Sequence, residues 1–430
     1  MELIHFQTRQ ARKKVLLALA VVLGVSIGFF LARQNFSATA PFKAKVFGSA
    51  AYARFSLEKE GLTSSRRMLA AQVSVFQCRN YEQVEKRVTE LKAAGINTII
   101  VRAFQNPGDG FHRFARPQNR VGVYFETAHA PMVDPILARV VSIGHRHGMK
   151  VFAWMETRKT PLALPDPKSH VAIAYRIGSR SFEPIQKWSI FDEVVEKKLL
   201  GLYRDIARSG IDGILIQDDL IMYQNEDFNP WAVALFQGET ERVLDPQTLY
   251  EKVFRDSNGR WLVSRYSETF WAWSRWKNEK LLNFANELIQ AAKAVNPEIK
   301  IAMNFMYESV TDPENALAWL SQHLPEATRL PIDFFAIMAY HRQMKKELRL
   351  TDAATYEKIS SMTQTLLSLI DDPNKILMKV QTADWDTSKG IPPFEIDEIF
   401  QRINSRGTVS LAFTPCSAKA PLNVIARHFH

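Results

Sequence analysis

The chain has 430 residues, of which 46% are apolar and 23% are charged, a composition that supports folded cores and excludes disorder over most of its length. The formal net charge is +10, but residues 1–67 alone carry eleven basic side chains against three acidic ones. The rest of the chain is therefore close to neutral. It contains no basic stripe or nucleic-acid motif, so a nucleic-acid partner is not expected.

The N-terminal segment has the pattern of a membrane anchor. Residues 15–32 are uncharged and mainly apolar, and their length reaches the lower limit for a helix that crosses a bilayer. Four basic residues precede this segment and only Arg33 follows it closely, so the positive-inside rule places residues 1–14 in the cytoplasm. A cleaved signal peptide, with Ala38–Ala40 as its A-x-A site, is the alternative.

The remainder of the chain then lies beyond the membrane. Residues 33–67 are mixed and basic, which predicts a tether close to anionic headgroups. Residues 68–430 form the predicted working domain. We expect a single-pass protein of a bacterial inner membrane whose domain lies in the periplasm or outside the cell.

A boundary of helix, glycine and strand recurs along residues 68–430. Glycine ends a helix readily because it adopts the left-handed conformation. The copies centre on Gly95, Gly148, Gly210 and Gly407, and each precedes a short apolar run that is typical of a strand. Four more apolar runs complete a set of eight strands, at 71–76, 300–304, 333–339 and 375–380.

Eight strands that alternate with helices predict an α/β fold, a (β/α)8 TIM barrel. The longest predicted βα-loop insertions are residues 157–190 and 220–270, after strands three and four. An open doubly wound sheet is the alternative fold, but no Gly-rich phosphate loop follows the first strand. In a barrel, the long loops would cover the C-terminal face, where active sites are built.

The chain contains only two cysteines, Cys78 and Cys416. They are predicted to follow the first and last strands, which are neighbours in a closed barrel, so a disulfide between them is one interpretation. Two unrelated thiols are the equally open alternative. No cysteine or histidine spacing suits a metal, and neither a metal nor a cofactor is expected.

Polar and aromatic residues follow the predicted strands at the C-terminal face. They are Trp154, Glu156, Gln217, Asp218, Asp219, Asn304, Tyr307, Tyr340, His341, Gln381 and Trp385. Carboxylates and amides bind sugar hydroxyls, and aromatic rings stack on sugar faces. The pattern therefore predicts a carbohydrate site.

The pair Asp218 and Asp219 is the sharpest of these signals. Glycoside hydrolysis requires a protonated carboxyl on the leaving oxygen and a second carboxylate at the anomeric carbon or a water. Because neighbours in a strand face opposite ways, one of the two should point into the barrel mouth and the other should support the structure or reach a sugar. The sequence does not decide which. Helix capping or calcium binding is the alternative role for the pair.

The second carboxyl of such a site could come from three places. Glu156 would lie at the end of the adjacent strand, and Glu226 or Asp227 would lie in the loop that follows the Asp pair. All three remain candidates at this point.

Six segments resemble, in order, the C-terminal glycoside hydrolase domain of PgaB-type poly-β-1,6-N-acetylglucosamine N-deacetylases. These segments are Val101–Pro107, His129–Met132, Val151–Met155, Gly213–Asp219 with its following acidic loop, Phe335–Tyr340 and Gln381–Trp385. The similarity extends from about Met68 to the C-terminus. The deacetylase domain of that family has no counterpart here, so deacetylation is not expected.

The resemblance implies an endo-acting hydrolase of partly deacetylated poly-β-1,6-N-acetylglucosamine, a biofilm polysaccharide, in which Asp218 and Asp219 match the carboxylate pair of the family. Its polysaccharide substrate and an exopolysaccharide synthesis or export machinery are the implied partners. The predicted catalytic residues are Asp218, Asp219 and Glu156. The predicted substrate-binding residues are Phe104, His129, Trp154, Gln217, Glu226, Asp227, Asn304, Tyr307, Tyr340, His341, Gln381 and Trp385.

Two other functions stay open from the sequence. A non-catalytic barrel could bind a polysaccharide and assist its export. A hydrolase of a different, acidic or neutral glycan would suit the basic cluster of His341, Arg342, Lys345 and Lys346.

Overall fold

The computed structural model describes residues 67–256, 259–417 and 420–428. The predicted cytoplasmic segment, membrane span and nearly all of the tether lie outside the described residues. Within the described ranges, no helix combines the length and the apolar character needed to cross a membrane.

Eight parallel strands close into one barrel, which confirms the predicted (β/α)8 fold. In chain order they are β1 (Leu69–Val73), β2 (Thr98–Arg102), β3 (Lys150–Met155), β4 (Gly213–Ile216), β5 (Lys300–Phe305), β6 (Phe334–Ile337), β7 (Ile376–Gln381) and β8 (Ser410–Thr414). Strand β1 pairs with both β2 and β8, for example through Ala71 opposite Ile99 and Ala71 opposite Phe413. These two pairings close the barrel.

The first strand lies nearer the N-terminus than predicted. It ends at Val73, whereas the predicted run continued to Phe76. The backbone N–H of Phe76 leaves the sheet and donates to Nδ1 of buried His112 at 3.1 Å, while its side chain packs in the core outside the barrel. Apolar character alone did not distinguish this turn from a strand.

Helices cover the barrel and its loops. They are α1 (Tyr81–Ala93), α2 (Leu137–Arg146), α3 (Glu193–Ala207), α4 (Pro230–Thr240), α5 (Pro246–Leu249), α6 (Glu268–Lys293), α7 (Glu308–Thr311), α8 (Pro313–Leu320), α9 (Leu324–Ala327), α10 (His341–Leu348), α11 (Asp352–Leu369), α12 (Pro393–Asn404) and α13 (Leu422–Arg427). Short 3₁₀ turns occupy Pro167–His170 and Pro373–Lys375.

Helix α3 shows why these segments become helical. The Asp192 side chain caps its N-terminus by accepting from the backbone N–H of Val194, which satisfies a donor that has no partner inside the helix. Leu199, Leu202 and Ile206 then recur at helical spacing and are fully buried against the barrel.

The strands carry two apolar faces because successive side chains point to opposite sides. Outward residues pack under the helices in one large core. Inward residues fill the barrel, and they are Ala70, Ile100, Phe152, Leu215, Ala302, Phe334, Ala336, Leu377 and Ala412. Four alanines balance the volume of the larger residues, which lets the interior close without a pore.

The two predicted insertions are both present above the C-terminal face. The first contains the hairpin Val171–Arg176 and Ser181–Trp188. The second contains α4, α5 and the hairpin Tyr250–Arg255 and Trp261–Tyr266. Aromatic residues of both insertions and of α6 form a second core, centred on buried Trp273. The insertions therefore form a structured subdomain over the barrel.

Of the two interpretations of the cysteines, the structure has two free thiols, and no disulfide joins Cys78 to Cys416. The Cys78 thiol points toward the start of α1, where Sγ lies 3.4 Å from the carbonyl oxygen of Gln83. Cys416 is buried, and burial raises the pKa of its thiol to about 11.

Gly213 at the start of β4 is a test of interior packing. A Cβ at this position would lie 2.4 Å from the ring of Phe152 and 2.6 Å from the carbonyl oxygen of Lys300. We predict that Gly213→Ala lowers the free energy of unfolding by about 1–3 kcal/mol, because neither neighbour can withdraw freely.

Gly238 in α4 is the matched control, since its Cβ would meet nothing within 4 Å. Gly238→Ala should leave the free energy of unfolding unchanged or raise it by up to about 1 kcal/mol. Urea unfolding followed by tryptophan fluorescence measures both variants. Equal midpoints for the two would contradict the packing described here.

Candidate active site

A layer of polar side chains covers the apolar interior at the C-terminal face. On each contributing strand it lies two residues beyond an inward apolar residue, and therefore on the same face. Its members are Gln72, Arg102, Trp154, Gln217, Asn304, Lys379 and Thr414. This layer forms the floor of the barrel mouth, the place where TIM-barrel enzymes hold their active sites.

Hydrogen bonds join one half of this floor. Lys379 Nζ donates to Asn304 Oδ1 at 2.9 Å, and Asn304 Nδ2 donates to Gln217 Oε1 at 3.3 Å. Trp154 Nε1 donates to the same oxygen of Gln217. Each amide is thereby fixed in one orientation.

Asp218 lies at the edge of this floor and is partly exposed. Burial raises the pKa values of Tyr223 and Tyr340 and lowers that of Lys379, and the negative charge of Asp218 adds to the first effect and opposes the second. Among the described residues, no hydrogen-bond donor lies against its carboxylate. Asp218 is therefore a carboxylate that faces the mouth and can meet a substrate.

Asp219 has the opposite environment. It is buried, and its two oxygens accept from the backbone N–H and hydroxyl of Thr157 at 3.0–3.1 Å and from the backbone N–H of Lys159 at 2.8 Å. These bonds attach the loop after β3 to the end of β4. Asp219 thus supports the rim, and its acceptor positions are occupied.

Glu156 lies beside Asp219 and is also buried. Its Oε1 accepts from Asn106 Nδ2 at 2.7 Å, whereas its buried Oε2 has no hydrogen-bond partner. Burial, followed by the negative charge of Asp219, raises the pKa of Glu156 well above its usual range. Since Asp219 is fully engaged as an acceptor, Glu156 is the member of this pair whose protonated form the surroundings favour more.

Glu226 is enclosed in a buried cluster of charges beneath the insertions. Its oxygens lie 3.0 Å from Arg158 Nη2 and 2.8 Å from Lys187 Nζ. Burial by itself would raise the pKa of Glu226, but Lys187 and Arg158 outweigh that effect and lower the pKa to about 2. Neither oxygen is available to a sugar, so the geometry does not support the expected substrate-binding role.

Asp227 is likewise a support for the insertions. Its Oδ1 accepts from the backbone N–H groups of Ile173 and Asn229, at 2.8 and 3.0 Å. These bonds attach the first hairpin to the loop that precedes α4. The side chain is almost completely buried, away from the mouth.

Tyr340, Trp385 and Gln381 line the mouth beyond β6 and β7. The Tyr340 ring lies edge-on to the Trp385 ring at 5.4 Å between centroids, and 5.8 Å from the ammonium of Lys379. Gln381 Oε1 accepts from the backbone N–H of Arg342 at 3.2 Å. This part of the mouth therefore offers an aromatic wall beside the polar floor.

The basic residues that follow Tyr340 are neutralised by partners. Arg342 binds Asp384 at 2.8 Å and Glu395 at 2.6 Å, and His341 Nε2 lies 3.2 Å from Glu395. Lys345 and Lys346 contact Asp352 and Asp386, both at 2.7 Å. The positive charge seen in the sequence is therefore not presented to the mouth.

The remaining predicted residues contribute to packing. Phe104 is buried edge-on against Trp154, at 5.3 Å between ring centroids. Tyr307 is buried and donates to Glu347 at 2.6 Å. His129 packs against Gly201 of α3, with Nε2 3.8 Å from Asp205. Of these three, only Phe104 touches a residue of the mouth.

Two charged residues of the floor were missed in the sequence. Lys379 is the fourth residue of the otherwise apolar run ILMKV, and Arg102 ends the run TIIVR. A single charge at an inward position of a barrel strand is a recognisable signal, because such a charge must be matched inside the mouth.

Comparison with known proteins gives a family match for this chain. The family model described as hypothetical glycosyl hydrolase family 13 matches residues 75–414, and this range includes every residue of the candidate site named above except Gln72. Among curated protein sequences, none matches this chain.

Several solved structures share the fold at low identity. The PgaB (BpsB) glycoside hydrolase domain from Bordetella bronchiseptica is 21% identical, with a TM-score of 0.65 over 81% of this chain and 94% of that chain. The catalytic domain of a β-amylase from Paenibacillus polymyxa is 10% identical, with a TM-score of 0.52 over 84% and 97%. A β-galactosidase from Rahnella sp. R3 is 16% identical, with a TM-score of 0.55 over 83% and 52%.

The similarity to the PgaB domain confirms the resemblance found in the sequence motifs. The family match covers most of the chain, from just after β1 to the end of β8. This chain therefore belongs to the family described as hypothetical glycosyl hydrolase family 13.

Proposed function

We propose that this protein is an endo-acting glycoside hydrolase that cleaves an amino-sugar exopolysaccharide such as partly deacetylated poly-β-1,6-N-acetylglucosamine. The observation that carries the proposal is the position of Asp218, a carboxylate without a hydrogen-bond donor at the mouth of the barrel, among the amides and rings expected of a sugar site.

Asp218 acts at the sugar. A glycosidase requires one carboxylate that approaches the anomeric carbon or the attacking water, and a group already occupied by backbone donors cannot do so without breaking those bonds. Asp219, Glu226 and Asp227 are all occupied in this way. Asp218 is the acidic residue of the set that is not.

Glu156 supplies the proton. Burial and the neighbouring Asp219 raise the pKa of its carboxyl and so favour the protonated form, and its Oε2 has no hydrogen-bond partner among the described residues. A general acid must hold its proton until the leaving oxygen requires it, which a buried carboxyl beside a second carboxylate does. In this arrangement Asp219 keeps Glu156 protonated and has no direct contact with the sugar.

The ion pairs of Arg342 are consistent with a substrate polymer that carries some free amines. Because Asp384 and Glu395 neutralise Arg342, the rim does not repel a cationic sugar as its sequence suggested. The choice of polymer itself rests on the resemblance to the PgaB domain. We further propose that residues 15–32 anchor the enzyme in a bacterial inner membrane, with the barrel outside the cytoplasm beside an exopolysaccharide synthesis or export machinery.

The first test is product analysis with the full-length protein and the partly deacetylated polymer. We predict that the wild type releases oligosaccharides of several lengths, as an endo-acting enzyme does. Asp218→Asn should lower the rate at least about 100-fold, because it removes the carboxylate and preserves the size of the side chain. Mass spectrometry of the soluble products measures the rate.

Asp371→Asn is the control for this test. Asp371 is exposed and precedes β7, at the opposite face of the barrel, so its loss should leave the rate unchanged. Intact polymer after prolonged incubation with the wild type would reject this substrate. Binding of the polymer without cleavage would favour the non-catalytic export barrel.

A second prediction concerns the proton on Glu156. The folded protein binds this proton more tightly than the unfolded chain does, so its stabilising contribution is lost as the pH rises from the ordinary glutamate range through the raised pKa. Glu156→Gln stays neutral, so its free energy of unfolding should decline less over the same pH range. Urea unfolding at several pH values between 5 and 9 measures the difference.

Glu156→Gln should also separate two classes of substrate. It should cleave the polymer at least about 100-fold more slowly, because glutamine cannot deliver a proton. An aryl glycoside with a strongly acidic leaving group needs no such proton and should be affected much less. Equal effects on the two substrates would exclude Glu156 as the acid.

A further inference from the structure

A patch of partly exposed apolar side chains lies on one side of the mouth, and the proposed chemistry does not use it. We call it the apolar platform, and it consists of Tyr223, Trp319 and Met338. All three pack against one small buried cluster, whose members are Ile221, Met306 and Leu320. The segments that carry these residues follow β4, β5 and β6, so the platform lies at the C-terminal face of the barrel.

Met338 faces the mouth because the strand pattern continues through it. It lies directly beyond the end of β6, and its backbone N–H still donates to the carbonyl oxygen of Phe305 at 3.0 Å. It is two residues beyond inward Ala336, so its side chain points to the same face. Met338 therefore stands, on β6, at the level where the other strands present the polar floor.

A buried cluster of charges holds Tyr223 in place. The backbone N–H of Tyr223 donates to Glu226 Oε1 at 2.8 Å, and its carbonyl oxygen accepts from Lys277 Nζ at 2.8 Å. Lys187 Nζ, which also contacts Glu226 at 2.8 Å, lies 3.6 Å from the centre of the Tyr223 ring. Because buried charges are costly unless they are paired, these contacts fix both the backbone and the ring of Tyr223.

Hydrogen bonds also join the loop that carries Tyr223 to the helix that carries Trp319. The backbone N–H of Met222 donates to the carbonyl oxygen of Leu320 at 3.0 Å, and the Ser321 hydroxyl donates to the carbonyl oxygen of Met222 at 3.0 Å. The end of β4 and the end of α8 are thereby held together. The platform is preorganised, so a ligand can bind to it without first ordering these segments.

We propose that the apolar platform binds an N-acetylated sugar residue of the substrate, with the acetyl methyl group and the apolar face of the sugar against Tyr223, Trp319 and Met338. Aromatic rings and a thioether make favourable contacts with apolar groups. The ammonium of a deacetylated residue would lose water there, and it would meet the like charge of Lys187 behind the Tyr223 ring. The identity of the ligand rests on the proposed function, but its binding does not depend on cleavage.

Calorimetric titration of full-length proteins that carry Asp218→Asn tests the platform, since no ligand should be consumed. The ligands are two short β-1,6-linked oligomers of equal length, one fully N-acetylated and one fully deacetylated. Tyr223→Ala and Trp319→Ala should each weaken binding of the acetylated oligomer at least about fivefold, because each removes apolar contact area. Binding of the deacetylated oligomer should change by less than about twofold. Tyr223→Phe keeps the ring and should retain the preference for the acetylated oligomer.

Trp261→Ala is the matched control for Trp319→Ala. Trp261 is 40% exposed at the turn of the second hairpin, where its ring lies 4.7 Å from the guanidinium of Arg255, so its loss should leave both affinities unchanged. If an alanine variant fails to fold, Met338→Gln takes its place, because glutamine keeps the shape of the side chain and makes it polar. An acetylated oligomer that does not bind, or equal effects of the variants on both oligomers, would overturn the proposal.

Cleavage by the wild type is a separate result. If the wild type releases no product while the variants selectively lose the acetylated oligomer, the hydrolase fails and the platform stands as a binding site. If the wild type cleaves the polymer while the variants bind both oligomers as before, the hydrolase stands and the platform fails.

Discussion

The two-residue alternation of side chains in a closed parallel barrel is the constraint on which the rest of this structure depends. Closure through β1 and β8 forces one face of every strand inward. Apolar residues such as Phe152 and Leu215 fill that space, and the next inward residues, Trp154 and Gln217, must form its upper surface. The barrel core and the floor of the active site are therefore successive layers of inward-facing residues on the same strands.

The burial of charge determines how the acidic residues around this floor are used. A carboxylate removed from water needs donors, and the fold supplies them from loop backbones to Asp219 and from Arg158 and Lys187 to Glu226. These bonds hold the insertions and the rim in place. Asp218 receives no such bonds among the described residues, and it is partly exposed at the mouth. Asp219 and Glu226 therefore stabilise the structure, whereas Asp218 remains available to a substrate.

The fold could be predicted from the sequence because its signals are local. The glycine that ends each helix and the apolar run that follows it, as at Gly210 and β4, are visible within about ten residues. Four of the eight strands follow from this boundary, and the other four follow from short apolar runs alone. The end of β1 was misplaced because Phe76 leaves the sheet for a hydrogen bond to His112, a contact that spans 36 positions.

The site could be predicted only in part. The sequence placed an acidic pair at the end of β4, but the alternation rule ends with the strand at Ile216 and could not assign Asp218 to the mouth. Glu226 looked available because its cations, Arg158 and Lys187, come from segments 68 and 39 positions away. Lys379 lies inside β7, and the apolar character that predicts a strand gives no role to a charged residue within it. The roles of these residues depend on contacts between residues that are far apart in the sequence, such as those of Glu226 with Arg158 and Lys187.

The measurement that tests this account most directly is affinity labelling with an epoxyalkyl glycoside of an N-acetylglucosamine oligomer. A carboxylate in the mouth opens the epoxide and forms an ester, and peptide mapping by mass spectrometry locates that ester. The account predicts the ester on Asp218, with labelling slowed by the polymer and abolished in Asp218→Asn. An ester on Asp219, Glu226 or Asp227, or labelling that persists in Asp218→Asn, would contradict it.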